Sequence, residues 1–258
     1  MRVKTFDTSD RAFPKCHVPH ASKSGGVYQA LIASGIFSRT NLDAVSALSK
    51  QLEPECFPPG HDVDLQSNAV GRLYVIMSGK VKVSLRRPDG CEVVLMIRGP
   101  AEIFGAITLF APRAKDVNTI TLTEVVAVPI ERNQLLAWMA QRPEVRDQVL
   151  RLFARWTRSM TDSLVDFAFA DVETRLASRL LCLMKRFGRR DGERVRVVHD
   201  LTLDDFSLLV GVAPETICAT LRDFEDHGWI VLEHDSLVIV DVQALASIRR
   251  RSAEVCCG

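Results

Sequence analysis

Pro214, Glu215, Cys218, Ala219 and Arg222 recur three and four residues apart, so a helix would present them together on one face, with Thr216 at its flank. The set combines a carboxylate acceptor, a hydroxyl, a thiol and a guanidinium. Such groups can read base edges in a DNA groove: a glutamate accepts from the amino group of cytosine, and an arginine donates to guanine or to a phosphate. Ile217, Leu221 and Phe224 interleave with them and mark the opposite, core-facing side. Cys218 would also lie near a helix N-terminus, where a thiolate is favoured and where oxidation would block docking; the alternative is a spectator thiol.

The flanking residues say how this helix is held. Thr202 with Asp205 three residues on predicts a capping box, and Phe206, Leu209 and Val210 give the helix it opens a buried face. Gly211 supplies a tight turn, and Pro214 opens the second helix. Residues 228–240 then read as a β-hairpin, Gly228-Trp229-Ile230-Val231-Leu232 and Leu237-Val238-Ile239-Val240 around His234-Asp235-Ser236. A last helix over 241–251 ends in Arg249-Arg250-Arg251, a weakly specific phosphate contact. Helix, glycine turn, helix, hairpin is a winged helix-turn-helix. Its second helix suits a major groove, with Thr202, Pro214, Glu215, Thr216, Cys218, Ala219 and Arg222 as the DNA-contacting set.

Upstream, a helix over 143–170 opens at Pro143. Val149, Phe153, Trp156, Met160, Ser163, Phe167 and Ala170 step along it by three and four. That narrow stripe predicts a homodimer seam, the alternative being a helix lying on its own barrel. Asp171 reads as the N-cap of a helix over 172–187, Gly188 as its end, and Arg189-Arg190-Asp191-Gly192 as a turn. Between 53 and 130 short β-rich runs alternate with Gly and Pro punctuation: Leu73–Met77, Val81–Leu85, Glu92–Ile97 and Asn118–Ile130. That rhythm predicts a small antiparallel roll. Residues 27–52 carry apolar residues at helical spacing, and 1–26 read as a tail. The expected fold is α+β, divided into a tail (1–26), a roll with flanking helices (27–142), a dimerisation helix (143–170) and a winged helix-turn-helix (171–258).

Several classes are excluded by what the sequence lacks. GxSxG, P-loop and GxGxxG motifs are missing. A metal cupin needs clustered histidines, whereas His61 alone falls in the roll. Seven cysteines without a CxxC pair argue against a zinc site or a disulfide framework, and Cys16, His17 and His20 sit together on the expected tail. No apolar run approaches the ~20 residues of a membrane span, and no signal-like segment opens the chain, so the cytoplasm is expected. A net charge of +1 does not advertise a nucleic-acid partner, and residues 171–258 carry 12 Lys/Arg against 15 Asp/Glu. Non-specific DNA binding should therefore be modest and salt-sensitive. A scaffold module whose winged helix meets protein is the competing class.

Four stretches, "GRLYVIMSGKVKV", "PDGCEVVLMIRGPAEIFG", "FADVETRLASRLL" and "LTLDDFSLLVGVAPETICATLRDFEDHGWI", resemble the CRP/FNR family of bacterial transcription factors, nearest its actinobacterial cyclic-AMP receptor branch. The resemblance covers about residues 27–250. It implies an N-terminal cyclic-nucleotide β-roll, a central dimerisation helix and a C-terminal winged helix. Partners would be double-stranded DNA, a second copy of the chain and RNA polymerase.

The family's phosphate cassette follows a Phe-Gly pair, here Phe104-Gly105, so Gly105, Ala106, Ile107 and Thr108 would line the nucleotide. The family's ribose-binding glutamate falls at Ala106, its phosphate arginine at Lys115 and the neighbouring hydroxyl at Asp116, with Arg113 available if the loop shifts. The adenine-contacting pair falls at Met160 and Thr161. Alanine cannot accept the ribose hydroxyl, lysine lacks the planar fork, and aspartate sets an anion beside a phosphate. Cyclic AMP is therefore expected to bind weakly or not at all. The family's recognition helix usually begins Arg-Glu-Thr; Pro214-Glu215-Thr216 stands here, so the usual target sequence is not implied. No iron–sulfur cluster is expected, since Cys16 alone lies near the N-terminus.

Overall fold

The computed structural model describes residues 20–63, 71–111, 116–233 and 236–255. Cys16, His17, Arg113, Lys115 and the His234-Asp235 turn lie outside the described residues, as do the side chains of His20, Arg250 and Arg251.

Helix α1 (His20–Ala33) begins inside the segment read as tail and runs through Gly25-Gly26. It is followed by α2 (Leu42–Ser49), capped by the Asn41 side chain. The roll is built from β1 (Glu55–Phe57), β2 (Arg72–Ser78), β3 (Val81–Arg86), β4 (Glu92–Arg98), β5 (Ile103–Phe104), β6 (Val117–Thr121) and β7 (Val125–Glu131). They form two antiparallel sheets, ordered β1-β7-β2-β5 and β4-β3-β6. The run read as one strand over 118–130 is broken at residues 122–124. There the chain turns against Gly79, whose backbone (φ 86°) leaves no room for a side chain: a Cβ would lie 2.1 Å from the Glu124 carbonyl oxygen.

Strand β2 shows why its sequence does not alternate. Tyr74 and Ile76 point into the roll, while Leu73 and Val75 point out into a second core shared with α1, α2, α4 (Arg132–Gln141) and α5 (Pro143–Phe169). Both faces are buried, so both are apolar. Helices α4 and α5 are separate because Arg142, preceding Pro143, is forced out of the helical region (φ −134°, ψ 96°).

The C-terminal part comprises α6 (Val172–Phe187), β8 (Gly188–Asp191), β9 (Arg194–Val198), α7 (Leu203–Val210), α8 (Pro214–Asp226), β10 (Ile230–Leu232), β11 (Ser236–Ile239) and α9 (Val242–Val255). Asp171 caps α6 by accepting the Thr174 N–H at 2.8 Å. Two local expectations are corrected. Gly188 ends α6 in an extended rather than left-handed conformation, because it enters a strand directly. Residues 188–191 are that strand, and the turn comes at Gly192 (φ 63°). The wing is consequently a four-stranded sheet, β10-β11-β9-β8, rather than a lone hairpin. A two-stranded ribbon is marginal in water, and the extra pair gives it a packed neighbour.

The two halves are docked. A bulge in β4 opposite Val83 and Ser84 turns Val94 and Ile97 toward the same side, where they join the core of the winged helix beside Phe206 and Leu209. Lys80 pairs with Asp200, and its ammonium also donates to the Val198 carbonyl at 2.7 Å. Lys82 pairs with Asp205, a capping-box residue of α7. Arg186 donates to the Ile97 carbonyl and to Glu102 at 2.7 Å. No described helix is long and apolar enough to cross a membrane.

Candidate nucleic-acid interface and ligand pocket

The winged helix assembles as its local sequence dictates. Thr202 accepts the Asp205 N–H at 3.1 Å, and the Asp205 carboxylate accepts the Thr202 N–H at 3.0 Å, closing the capping box at the start of α7. Burial resists ionisation of Asp205, but the Lys82 ammonium and the Thr202 bonds outweigh it and hold the carboxyl below the usual carboxylate range. Gly211 turns the chain with φ 76°, and a Cβ there would sit 2.4 Å from the Phe167 ring of α5. Ile217, Leu221 and Phe224 are buried, and Glu215, Thr216, Ala219 and Arg222 are exposed. Pro214 and Cys218 are half-buried, and Cys218 is a free thiol. Neither Glu215 nor Arg222 is engaged in a hydrogen bond or ion pair among the described residues, so both side chains are available to a ligand.

Gly105 (φ 84°) starts the short helix α3 (Ala106–Phe110). Ala106 is 2% exposed and belongs to the core shared with α1 and α5. The Thr108 hydroxyl is spent on the Gly105 carbonyl at 2.9 Å. The space around Gly105–Thr108 measures about 20 Å³ and is lined by Val83, Met96, Phe104 and Trp156. That is room for about one water. Asp116 is exposed, and its carbonyl accepts the Arg86 N–H. Met160 does not enter this space but lines a larger cavity beside it, and Thr161 is exposed with its hydroxyl donating to the Thr157 carbonyl. The structure thus gathers Gly105, Ala106, Ile107 and Thr108 but leaves Asp116, Met160 and Thr161 outside. Trp156, absent from the sequence-derived set, also lines the space. Its membership of the α5 stripe was the available signal.

That stripe also needs correction. Val149, Phe153 and Trp156 pack on the chain's own roll, and Met160, Ser163 and Phe167 border the cavity between roll and α6. The helix lies on its own body along this face, because the roll offers the nearest apolar surface. The more exposed face is one residue round: Leu150, Ala154, Thr157, Thr161, Leu164 and Ala168 are all exposed, Leu150 to 60% and Leu164, which also borders the cavity, to 68%.

Cys56 is disulfide-bonded, although the cysteine spacing argues against a disulfide framework, whereas Cys91, Cys182 and Cys218 are free. Among the described residues no group of three or more His, Cys, Asp or Glu is placed to hold a metal ion.

Comparison with known proteins bears on both halves. Residues 54–142 match the cyclic nucleotide-binding domain and residues 174–248 the Crp-like helix-turn-helix domain. The chain is 44% identical over 218 residues to a CRP-like cAMP-activated global transcriptional regulator of Mycobacterium tuberculosis, covering 84% of this chain and 97% of that one. The chain belongs to the CRP/FNR family. More distant members include the cyclic AMP receptor protein of Thermus thermophilus, 23% identical over 74% of this chain and 86% of the relative. Among solved structures, FixK2 from Bradyrhizobium japonicum superposes with a TM-score of 0.69 at 15% identity, covering 76% of this chain and 96% of FixK2. This CRP/FNR member is therefore a DNA-binding transcription regulator and not an enzyme. Its β-roll, long helix and helix-turn-helix follow the family's architecture.

Proposed function

We propose that this regulator binds DNA as a homodimer in the cytoplasm, with an input that is not ordinary cyclic-AMP activation. The observation that carries the second half is Ala106. It stands where the family's ribose-binding glutamate would be, it is buried in an apolar core, and the adjoining space holds about 20 Å³. Cyclic AMP would have to open that space and would find neither the carboxylate acceptor nor, at Asp116, a phosphate donor. Losing two charge-assisted bonds of ~1.5–3 kcal/mol each weakens binding at least about a hundredfold. Calorimetry on the full chain tests this: no micromolar cyclic-AMP affinity is expected, and a micromolar or tighter value overturns the reading.

For DNA, Glu215 is assigned to a cytosine amino group, Arg222 to a base or phosphate one turn on, and Thr202, Pro214, Thr216, Cys218 and Ala219 to the surrounding contact face. The exposure of Glu215, Thr216, Ala219 and Arg222 on α8 and of Thr202 at the start of α7 supports the assignment, with Pro214 and Cys218 half-buried on the same face. Sequencing genomic fragments captured by the purified chain would give the site and distinguish a regulator from a protein-binding scaffold. The dimer is assigned to the exposed stripe from Leu150 to Ala168, whose 4-3-4-3-4 spacing is that of a two-helix seam. RNA polymerase is the further partner such a regulator would meet on DNA.

A further inference from the structure

Between the outer face of β4, helix α5 and helix α6 lies a cavity of about 750 Å³. It is separate from the small cassette space, with Trp156 and Met96 forming a shared wall. Its size falls within the roughly 300–1,000 Å³ of small-molecule sites. Leu95, Ile97, Trp156, Met160, Phe167 and Leu209 supply apolar walls. The charged lining is unbalanced: Arg98, Arg155, Arg179 and Arg186 face it against one carboxylate, Glu102.

That carboxylate is already shared. Glu102 Oε1 accepts from Arg98 at 3.1 Å and from Arg186 at 2.7 Å, and its other oxygen accepts the Gly99 N–H at 2.9 Å. Arg98 has 6% of its side chain exposed and stacks over Trp156 at 4.7 Å, and its Nε is buried with no hydrogen-bond partner. Arg179 lies within 4 Å of no carboxylate among the described residues; its Nη1 donates to the Ser163 hydroxyl at 3.1 Å, and its guanidinium lies 5.9 Å from the Phe167 ring. Both guanidinium groups are held below the usual arginine pKa, chiefly by burial. Under-compensated cations in an apolar cavity are costly unless an anion completes them.

We infer that this cavity is a ligand site for an amphipathic carboxylate of the fatty-acid class, its head held by Arg179 and its apolar body lying along Phe167, Met160, Trp156 and Leu209. A guanidinium's planar fork matches a carboxylate bidentately, and the apolar walls exclude a small hydrophilic anion as the full occupant. Because Leu95 and Ile97 belong to the roll and Arg179 to α6, an occupant touches both halves of the chain. This reading is independent of whether cyclic AMP binds at the cassette.

The test is titration calorimetry of the full-length chain with decanoate and, separately, decanol. Decanoate should bind and decanol should bind about tenfold or more weakly, since only the former has the head group. Arg179→Gln should weaken decanoate about tenfold while leaving decanol unchanged. Ser159→Trp, at an exposed lining position, should block both without lowering the unfolding temperature, which guards against a variant that merely misfolds. Equal binding of acid and alcohol, no effect of Arg179→Gln in a folded variant, or no decanoate binding at all overturns the inference.

Discussion

Lys82→Met removes the ammonium facing Asp205 while keeping most of the apolar stem. Both side chains are largely buried, 12% and 9% exposed, so screening by water is limited. Breaking a fully buried pair costs about 3–5 kcal/mol. Asp205 retains the Thr202 N–H and hydroxyl, both within 3.0 Å, so the expected loss falls at or below the bottom of that range, about 2–3 kcal/mol. For a chain of this size that is roughly 4–12 °C in Tm. The assay is a double-mutant cycle with Asp205→Asn, read by thermal and urea unfolding. A coupling of about 1.5–3 kcal/mol is expected for contacting residues. The pH dependence has a definite sign. The folded-state carboxyl is held below its unfolded value, so its stabilisation is complete above about pH 4 and is lost as pH falls through the lower folded value. Lys82→Met should flatten that acid limb. A coupling under about 0.5 kcal/mol, with an unchanged acid limb, would refute the idea that this pair clamps the winged helix to the roll.

Other outcomes follow from individual positions. Glu215→Ala should relax discrimination at one base pair by about 1–3 kcal/mol in a base-substitution binding series, and unchanged discrimination removes Glu215 from base reading. Ala106→Glu forces a carboxyl into an apolar core; unfolding should show a loss of several kcal/mol, about 2–7 by transfer data, and added cyclic AMP should not restore it. Restoration by cyclic AMP would mean that the cassette opens to the nucleotide. Gly211→Ala combines a positive φ with a Cβ 2.4 Å from Phe167, so a loss of more than about 1 kcal/mol is expected by thermal unfolding. Leu164→Asp places a charge in the exposed stripe and should shift sedimentation from dimer to monomer; a persisting dimer sends the seam elsewhere.

What the sequence determines by itself is local and chemical. The capping box at Thr202 and Asp205, the glycine turn at Gly211, the proline start at Pro214 and the split faces of α8 all depend on residues within a few positions of one another, and each appears where the spacing predicts it. The same holds for most roll strands, whose boundaries are written in Gly and Pro. What the tertiary structure decides is which surface each face meets. Helix α5 carries two stripes one residue apart, one rich in aromatics and one in leucine, alanine and threonine, and periodicity cannot say which packs inward. The roll takes the aromatic stripe because Phe153 and Trp156 fill its flank, which leaves the Leu150–Ala168 stripe exposed. Residues 188–191 become a strand only when β9 supplies a partner. The cassette follows the same division. Alanine at 106 is legible as a lost acceptor. That Trp156 borders the space beside it, and that a larger arginine-lined cavity lies along the same ring, depends on side chains more than fifty residues apart in the chain meeting at one wall.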